Sequence, residues 1–382
     1  MAALTGRASF GRQRARAARG RAGARSIKRF SRLFASRLSK GLHLRRITIA
    51  DIAQRAGVST GAVSYALNDR PGVSADTRAR ILAIAGELGW EPSSAARSLS
   101  GARTETVGLV LARDPNTLGF ESFYMQFIAG IESELAKRSY GLLLQVVPDL
   151  EAEMRAYRKW RAARRVDGVV TVDLRLDDPR VPWLTEPDSI PAVLVGDPVL
   201  AGGLTSVWTD DASAMRESVR YLHAMGHRRI ARVSGVKSFG HTQIRDDAFR
   251  DETARLGEEG QIGRTDYTPD QGAGATRTLL TRADRPTAII YDNDVMALAG
   301  LGVANELGIL VPAELSIIAW DDSPLCVATY PRLSALSHDV TSFGAHVARR
   351  LFDRIEGAKG GSFLDSTPTL RPRGTTARYV GP

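Results

Sequence analysis

Cysteine is almost missing from this chain of 382 residues: Cys326 stands alone. That excludes an internal disulfide framework and any multi-cysteine metal site, and it suits a reducing compartment. No run of eighteen apolar residues appears, so no transmembrane helix is expected. The basic N-terminus also lacks the apolar core of a secretion signal. A soluble, cytoplasmic protein without a membrane partner is the expectation. Phosphate-cradling and nucleophile motifs are absent as well: there is no GxxxxGK[ST], no GxGxxG opening a helix after a strand, and no GxSxG. The six His residues, among them His223, His227 and His241, show no metal spacing, and lone histidines usually serve the surface or packing. Neither catalysis nor a cofactor or metal is expected.

Acidic residues are absent from residues 1–46, which hold 14 of the 52 Lys and Arg. The remainder carries 38 basic and 42 acidic residues, so the net charge of +10 describes the N-terminal extension and not the body. Rich in Arg, Ala, Gly and Ser, that extension lacks apolar periodicity and is expected to be disordered. A phosphate-attracting arm, a transit peptide and a misassigned start are its open readings, and the last is favoured over the arm.

What is present begins at residue 47. Thr48-Ile49-Ala50-Asp51 is a capping-box-like helix start, followed by apolar Ile49, Ile52, Ala53 and Ala56 at helical spacing. Gly57 ends that helix and Val58 packs beneath the turn. Ser59 then caps a second helix with Ala62, Val63, Ala66 and Leu67 on its buried side. A third helix runs from Ser74 to Gly89. Two short helices around a tight Gly turn form the geometry that lays the second in a DNA major groove.

Beyond residue 103 apolar strands alternate with helices. Thr106–Leu111, Leu142–Val147, Gly168–Val172 and Ala192–Val195 read as strands buried on both faces, with a helix at Phe123–Lys137. Ile230–Val233, Ala288–Tyr291 and Ser316–Trp320 form a second series. Such alternation implies parallel, doubly wound sheets, here in two lobes with a cleft between them. The expected fold is an N-terminal all-α helix-turn-helix domain (47–92), a hinge segment (93–102) and a two-lobed α/β effector and dimerisation domain (103–382), after the basic extension (1–46).

The run from Thr48 to Asn68, followed by Arg70-Pro-Gly-Val-Ser74, resembles the N-terminal signature of the lactose-repressor/galactose-repressor (LacI/GalR) family. Four further blocks extend the likeness to about residue 380: Gly89-Trp-Glu-Pro92 with Ala95-Ala-Arg-Ser-Leu99, Val195-Gly-Asp197, Asn293-Asp-Val-Met-Ala297 and Ile318-Ala-Trp-Asp-Asp322, with Arg245 and Phe249 between them. The resemblance implies a periplasmic-binding-protein-like body and a repressor of carbohydrate-related genes. It would bind operator DNA as a homodimer and be released by a sugar-like effector. By resemblance, Thr60, Gly61 and Tyr65 would read bases, and Ser59, Ser64 and Asn68 would hold phosphates or backbone. Thr48 and Ala96 would join the DNA-contacting set, and Leu99 would wedge into the minor groove from a short hinge helix.

Two departures stand out. Tyr65 sits where the family commonly has Arg, which pairs bidentately with guanine for about 1–3 kcal/mol of discrimination. Gly61 offers no side chain, so the operator should differ from the family's commonest one. In the body, Asp197, Asp321 and Asn293 lie at or just past the carboxyl ends of strands, where ligands of parallel sheets collect, and the resemblance implies that they and Arg245 form the hydroxyl-binding set. Tyr267, Trp320, His338 and Phe123 would be wall residues, while Asp294 and Asp322 are expected to be structural. Rival readings are a regulator with no effector or a non-sugar one, and a sugar-binding protein of the periplasmic type. The second leaves residues 47–102 unexplained.

Overall fold

The computed structural model describes residues 47–90, 103–115, 119, 121–258 and 260–381. The readings on residues 1–46 and on the hinge residues Ala96 and Leu99 lie outside them. The chain divides into two compact units, Met1–Ser93 and Ser94–Pro382.

In the first unit three helices, α1 (Ile49–Ala56), α2 (Thr60–Leu67) and α3 (Ala75–Glu87), pack around a small core. Each has a hydroxyl N-cap that accepts an otherwise orphaned backbone N–H. For α1 the cap is reciprocal: Thr48 accepts from the Asp51 N–H, and the Asp51 carboxylate accepts from the Thr48 N–H at 2.8 Å. Ser59 caps α2 through the Ala62 N–H at 3.1 Å, and Ser74 caps α3. The α1–α2 turn needs Gly57 at φ 67°, a left-handed conformation costly for any residue with a Cβ. Ile52 on α1, Val63 on α2 and Ile81 on α3 are fully buried and join the three helices.

The second unit holds two six-stranded sheets. Sheet one has the order β11-β5-β4-β3-β1-β2, built from β1 (Thr106–Ala112), β2 (Gly141–Val147), β3 (Gly168–Thr171), β4 (Ala192–Val195), β5 (Ser206–Thr209) and β11 (Ser362–Ser366). Sheet two has the order β12-β10-β9-β8-β6-β7, from β6 (Ile230–Ser234), β7 (Gln261–Arg264), β8 (Ala288–Tyr291), β9 (Ser316–Trp320), β10 (Ser334–Ser337) and β12 (Thr369–Arg371). All pairings are parallel except β10–β12.

Helices α4 (Ser122–Ala136), α5 (Leu150–Ala162) and α6 (Arg180–Leu184) cover sheet one. Helices α7 (Asp211–Ala224), α8 (Gly240–Arg255), α9 (Pro269–Leu280), α10 (Asp294–Glu306) and α11 (Pro324–Ala328) follow. Of these, α7 to α10 supply apolar side chains to the cores around sheet two. The last helix, α12 (Val340–Ile355), returns to lobe one and buries Phe343, Val347 and Leu351 beside α4. The chain therefore crosses between lobes three times, near residues 210, 339 and 367.

Helices α4 and α12 touch through backbone. A Cβ added at Gly130 would lie 2.0 Å from the Thr341 carbonyl oxygen, and one at Gly344 would lie 2.1 Å from that of Phe127. Gly344→Ala is therefore expected to destabilise lobe one by about 1–3 kcal/mol through overpacking, although alanine is the better helix former by ~1 kcal/mol. An unchanged or raised melting temperature would refute the close approach.

One strand departs from the sequence expectation. The apolar run Leu142–Val147 predicts a strand buried on both faces, yet β2 is the sheet's edge, with Leu144 and Val146 43% and 39% exposed. An apolar run has the same spelling in the middle of a sheet and at its rim.

Candidate effector cavity and DNA-reading helix

On α2, Thr60, Gly61, Tyr65 and Asn68 are exposed and Ser64 is half-buried, while Val63 and Ala66 face the core. The outward side of this short helix is thus polar and carries one aromatic ring. Asn68 closes the helix by donating its amide to the Ser64 carbonyl at 2.8 Å.

Between the two lobes lies a cavity of about 130 Å³. Strand ends supply much of its wall: Arg113 follows β1, Asp173 follows β3, Asp197 follows β4, Asp292 follows β8 and Asp321 follows β9. Phe123 on α4, Trp208 on β5 and Phe343 on α12 give apolar faces, and Asp211 and His338 sit where the chain changes lobes. Of the residues expected around a ligand, Phe123, Asp197, Arg245, Tyr267, Asn293, Asp321 and His338 all line this space.

Trp320 does not. It is 1% exposed, with its ring 3.7 Å beneath the Arg245 guanidinium. It supports a wall residue instead of forming the wall, a position that alternation of apolar residues along β9 imposes. His241, expected as a surface or packing group, lines the cavity and shares a 2.8 Å hydrogen bond with the Tyr267 hydroxyl. Some expected contacts also have local duties. Asn293 caps α10 by accepting from the Met296 N–H at 2.8 Å, and Asp197 accepts from the Val199 N–H at 2.9 Å. Asp294 accepts from the Ser323 hydroxyl, and Asp322 pairs with Arg373 at 2.7 Å.

Two buried arginines organise the charges. Arg245 donates to Asp211 at 2.7 Å and to Asp292 at 2.8 Å. Asp292 also accepts from Arg232 at 2.9 Å and from the Gly235 N–H at 2.9 Å. Burial would raise the Asp292 carboxyl, but the two guanidiniums win and hold it well below the usual range. In lobe one, Arg113 grips Asp173 bidentately at 2.8 and 3.0 Å. Burial again loses to the guanidinium, and Asp173 is held low. Arg113 also stacks on two rings of lobe two, 4.6 Å from the Phe239 centroid and 5.1 Å from that of Tyr267. The lobes meet further through the Gly240 N–H, which donates to the Leu174 carbonyl at 2.6 Å.

Two carboxyls go the other way. Burial lifts Asp321 to about 8 against the pull of Arg245, with Asp294, Asp211 and Glu121 adding to the rise. Burial lifts Glu121 to about 7 against Arg113. Burial pushes the His241 imidazole down to about 4, and Arg245 adds to that. The signs predict a pH profile. A carboxyl raised in the fold holds a proton that the unfolded chain has lost, so its contribution is full at low pH and disappears as pH rises through about 8 for Asp321. A lowered imidazole costs stability only as pH falls from its ordinary 6.5 toward about 4. Above pH ~6.5, then, the carboxyl effect stands alone. Ligand-free protein should lose stability between pH 6.5 and 8, and Asp321→Asn should flatten that slope in urea titrations. An equal slope in the variant would contradict the assignment.

The arrangement is a helix-turn-helix head followed, along the chain, by a two-lobed α/β body with an interlobe cavity. The family model described as bacterial regulatory proteins, lacI family, matches residues 48–93, and that of the periplasmic binding protein-like domain matches residues 219–376. The transcriptional regulator CelR of Thermobifida fusca is 31% identical over 318 residues, 82% of this chain and 93% of CelR. The repressor PurR of Escherichia coli O139:H28 is 30% identical over 312 residues, 81% of this chain and 90% of PurR. Among solved structures, a LacI family regulator from Bifidobacterium animalis subsp. lactis superposes with a TM-score of 0.68 at 38% identity, over 73% of this chain and all of that one. The operator-bound lac repressor dimer superposes with a TM-score of 0.74 at 25% identity, over 87% of this chain and all of that one. The chain belongs to the LacI family of bacterial regulatory proteins, as its five sequence blocks implied.

Arg113, Glu121, Asp173, Asp211, Trp208 and Asp292 escaped the sequence reading. Arg113 and Asp292 each stand directly after an apolar strand, β1 and β8, and Asp173 two residues after β3, which is the signal that could have found them.

Proposed function

We propose that the protein is a non-enzymatic, cytoplasmic, homodimeric repressor whose hold on operator DNA is set by a small sugar-like molecule between its lobes. The observation that carries this reading is one chain with two organs: a helix with a solvent-facing polar side and a lined cavity, joined through residues 91–102. Relatives support it. CelR was solved as a complex with cellobiose (28% identity, TM-score 0.65, over 86% of this chain), and the lac repressor was solved as a dimer on operator.

Thr60, Gly61 and Tyr65 contact base edges in this reading, with Thr48, Ser59, Ser64 and Asn68 on phosphate or backbone. Ala96 joins the DNA-contacting set and Leu99 wedges into the minor groove. Single phosphate contacts position without specifying, whereas groove contacts choose the sequence. Asp197, Arg245, Asn293 and Asp321 take ligand hydroxyls, with Trp208, Phe123 and Phe343 as apolar walls. The dimer is supported by the open edge of β2 and, on lobe two, by exposed Leu298, Val327 and Tyr330.

Selection from a random duplex pool should return a partial palindrome of two half-sites. Tyr65→Ala should change or relax the base preference at one position of each half-site. Sugars that displace this DNA should stabilise the protein, and Trp208→Ala should weaken that by about tenfold or more, the scale of losing an aromatic wall. A pool that returns no preferred sequence would refute the regulator.

A further inference from the structure

The charge inside the cavity is lopsided. Seven carboxyl groups line it against two guanidiniums, and both guanidiniums are committed. Arg245 is spent on Asp211 and Asp292, and Arg113 on Asp173. Glu121, Asp197, Asp294 and Asp321 remain without a cation of their own. Glu121 is 9% exposed, and its Oε2 has no hydrogen-bond partner among the described residues. Its one nearby cation, Arg113, lies 3.7 Å away, beyond hydrogen-bond reach, and already grips another carboxylate.

We propose that the molecule held between the lobes carries a protonated amine, as an amino sugar or aminocyclitol does, and that this ammonium group docks on the carboxyl cluster headed by Glu121. This rests on the reading of the cavity as an effector site and names the chemistry it selects. An anion would meet an uncompensated negative field in a confined space of low dielectric. A neutral polyol would leave the excess in place, so Glu121 and Asp321 would have to keep their protons to avoid being buried bare charges. A primary ammonium supplies three donors and one positive charge, which suits an orphaned carboxylate oxygen beside further acceptors. Burial raising Glu121 to about 7 and Asp321 to about 8 describes the same unmet demand, since an arriving cation would return both to the ionised state.

The test uses the full chain at pH 6.5 and matched pairs: glucose and glucosamine, galactose and galactosamine, mannose and mannosamine. Cellobiose and hypoxanthine serve as neutral comparators and glucose 6-phosphate as an anion. Thermal shift and titration calorimetry are expected to show at least one amine binding roughly tenfold or more tightly than its hydroxyl parent. Glu121→Gln should bring that pair within about twofold, and Asp321→Asn provides a second reading should the first variant be misfolded by circular dichroism. Neutral sugars or hypoxanthine binding with no gain from any amine would overturn the charge proposal while leaving a small-molecule regulator intact. An amine preference that survives both substitutions would overturn the docking place. If no compound shifts the protein or releases its operator, the effector reading falls together with the proposal.

Discussion

Asp292→Ala is expected to remove about 3–5 kcal/mol of folding stability, the cost of stripping one partner from a buried ion pair. For a body of this size that corresponds to roughly 10 °C in the melting temperature. The carboxylate accepts from Arg232, Arg245 and the Gly235 N–H within 2.9 Å, and from the Tyr267 hydroxyl at 3.3 Å. Once it is gone, Arg245 still has Asp211 and Arg232 still has Asp246, so neither cation is wholly alone. Arg232, however, is fully buried and already has an Nη1 without a partner, so it has no route to water. Asp292→Asn, which keeps the shape and loses the charge, should fall between wild type and alanine. Urea denaturation that places the alanine variant within 1 kcal/mol of wild type would show that the network relaxes around the loss.

Val146→Lys is expected to leave the fold intact and to dissolve the proposed dimer. In β2 all seven residues pair with β1 on one side, and the other side is the rim of the sheet. An apolar edge of this kind is an adhesive surface that monomeric proteins blunt, often with a lysine. Val146 lies outside the lobe cores, so its replacement removes little buried area, while two lysines brought together at a symmetric contact repel. A protomer alone holds one half-site, and joining two binding modules is worth roughly 10²–10⁴ in affinity. Operator binding should drop by that factor, and light scattering should report a monomer. A variant that stays dimeric would move the contact elsewhere, and wild-type protein that is itself monomeric would end the dimer proposal.

The sequence revealed the layers of the fold better than its rims. Long strands such as Thr106–Ala112 and Ile230–Ser234 stand out because several apolar residues run together between turn signals. Strands β5, β7, β10, β11 and β12 break their apolar residues with polar ones, as in Ser206-Val-Trp-Thr209 and Gln261-Ile-Gly-Arg264, and their identity comes from the neighbours they pair with. Around the cavity, Asp197 and Asp321 were legible because each stands just past an apolar strand and within a block of the family resemblance. Arg113 and Asp173 stand at equivalent places after β1 and β3 but fall in no block of the resemblance, and their pairing across 60 residues of sequence shows only in the fold. Trp320 was misplaced as a wall for a related reason: an aromatic at a strand end can face the ligand or the core, and alternation along β9 puts Trp320 in the core with Ile318.

The three lobe crossings have a consequence for synthesis. Lobe one begins first on the ribosome, yet Phe343, Val347 and Leu351, which fill its centre, are made after nearly all of lobe two. The later-encoded lobe has its strands β6 to β10 in hand while the earlier one still exposes apolar surface, so lobe two can settle first. A nascent chain that has emerged as far as about residue 338 would therefore present a second half lacking only β12 and the segment after it, beside a first half open to chaperones.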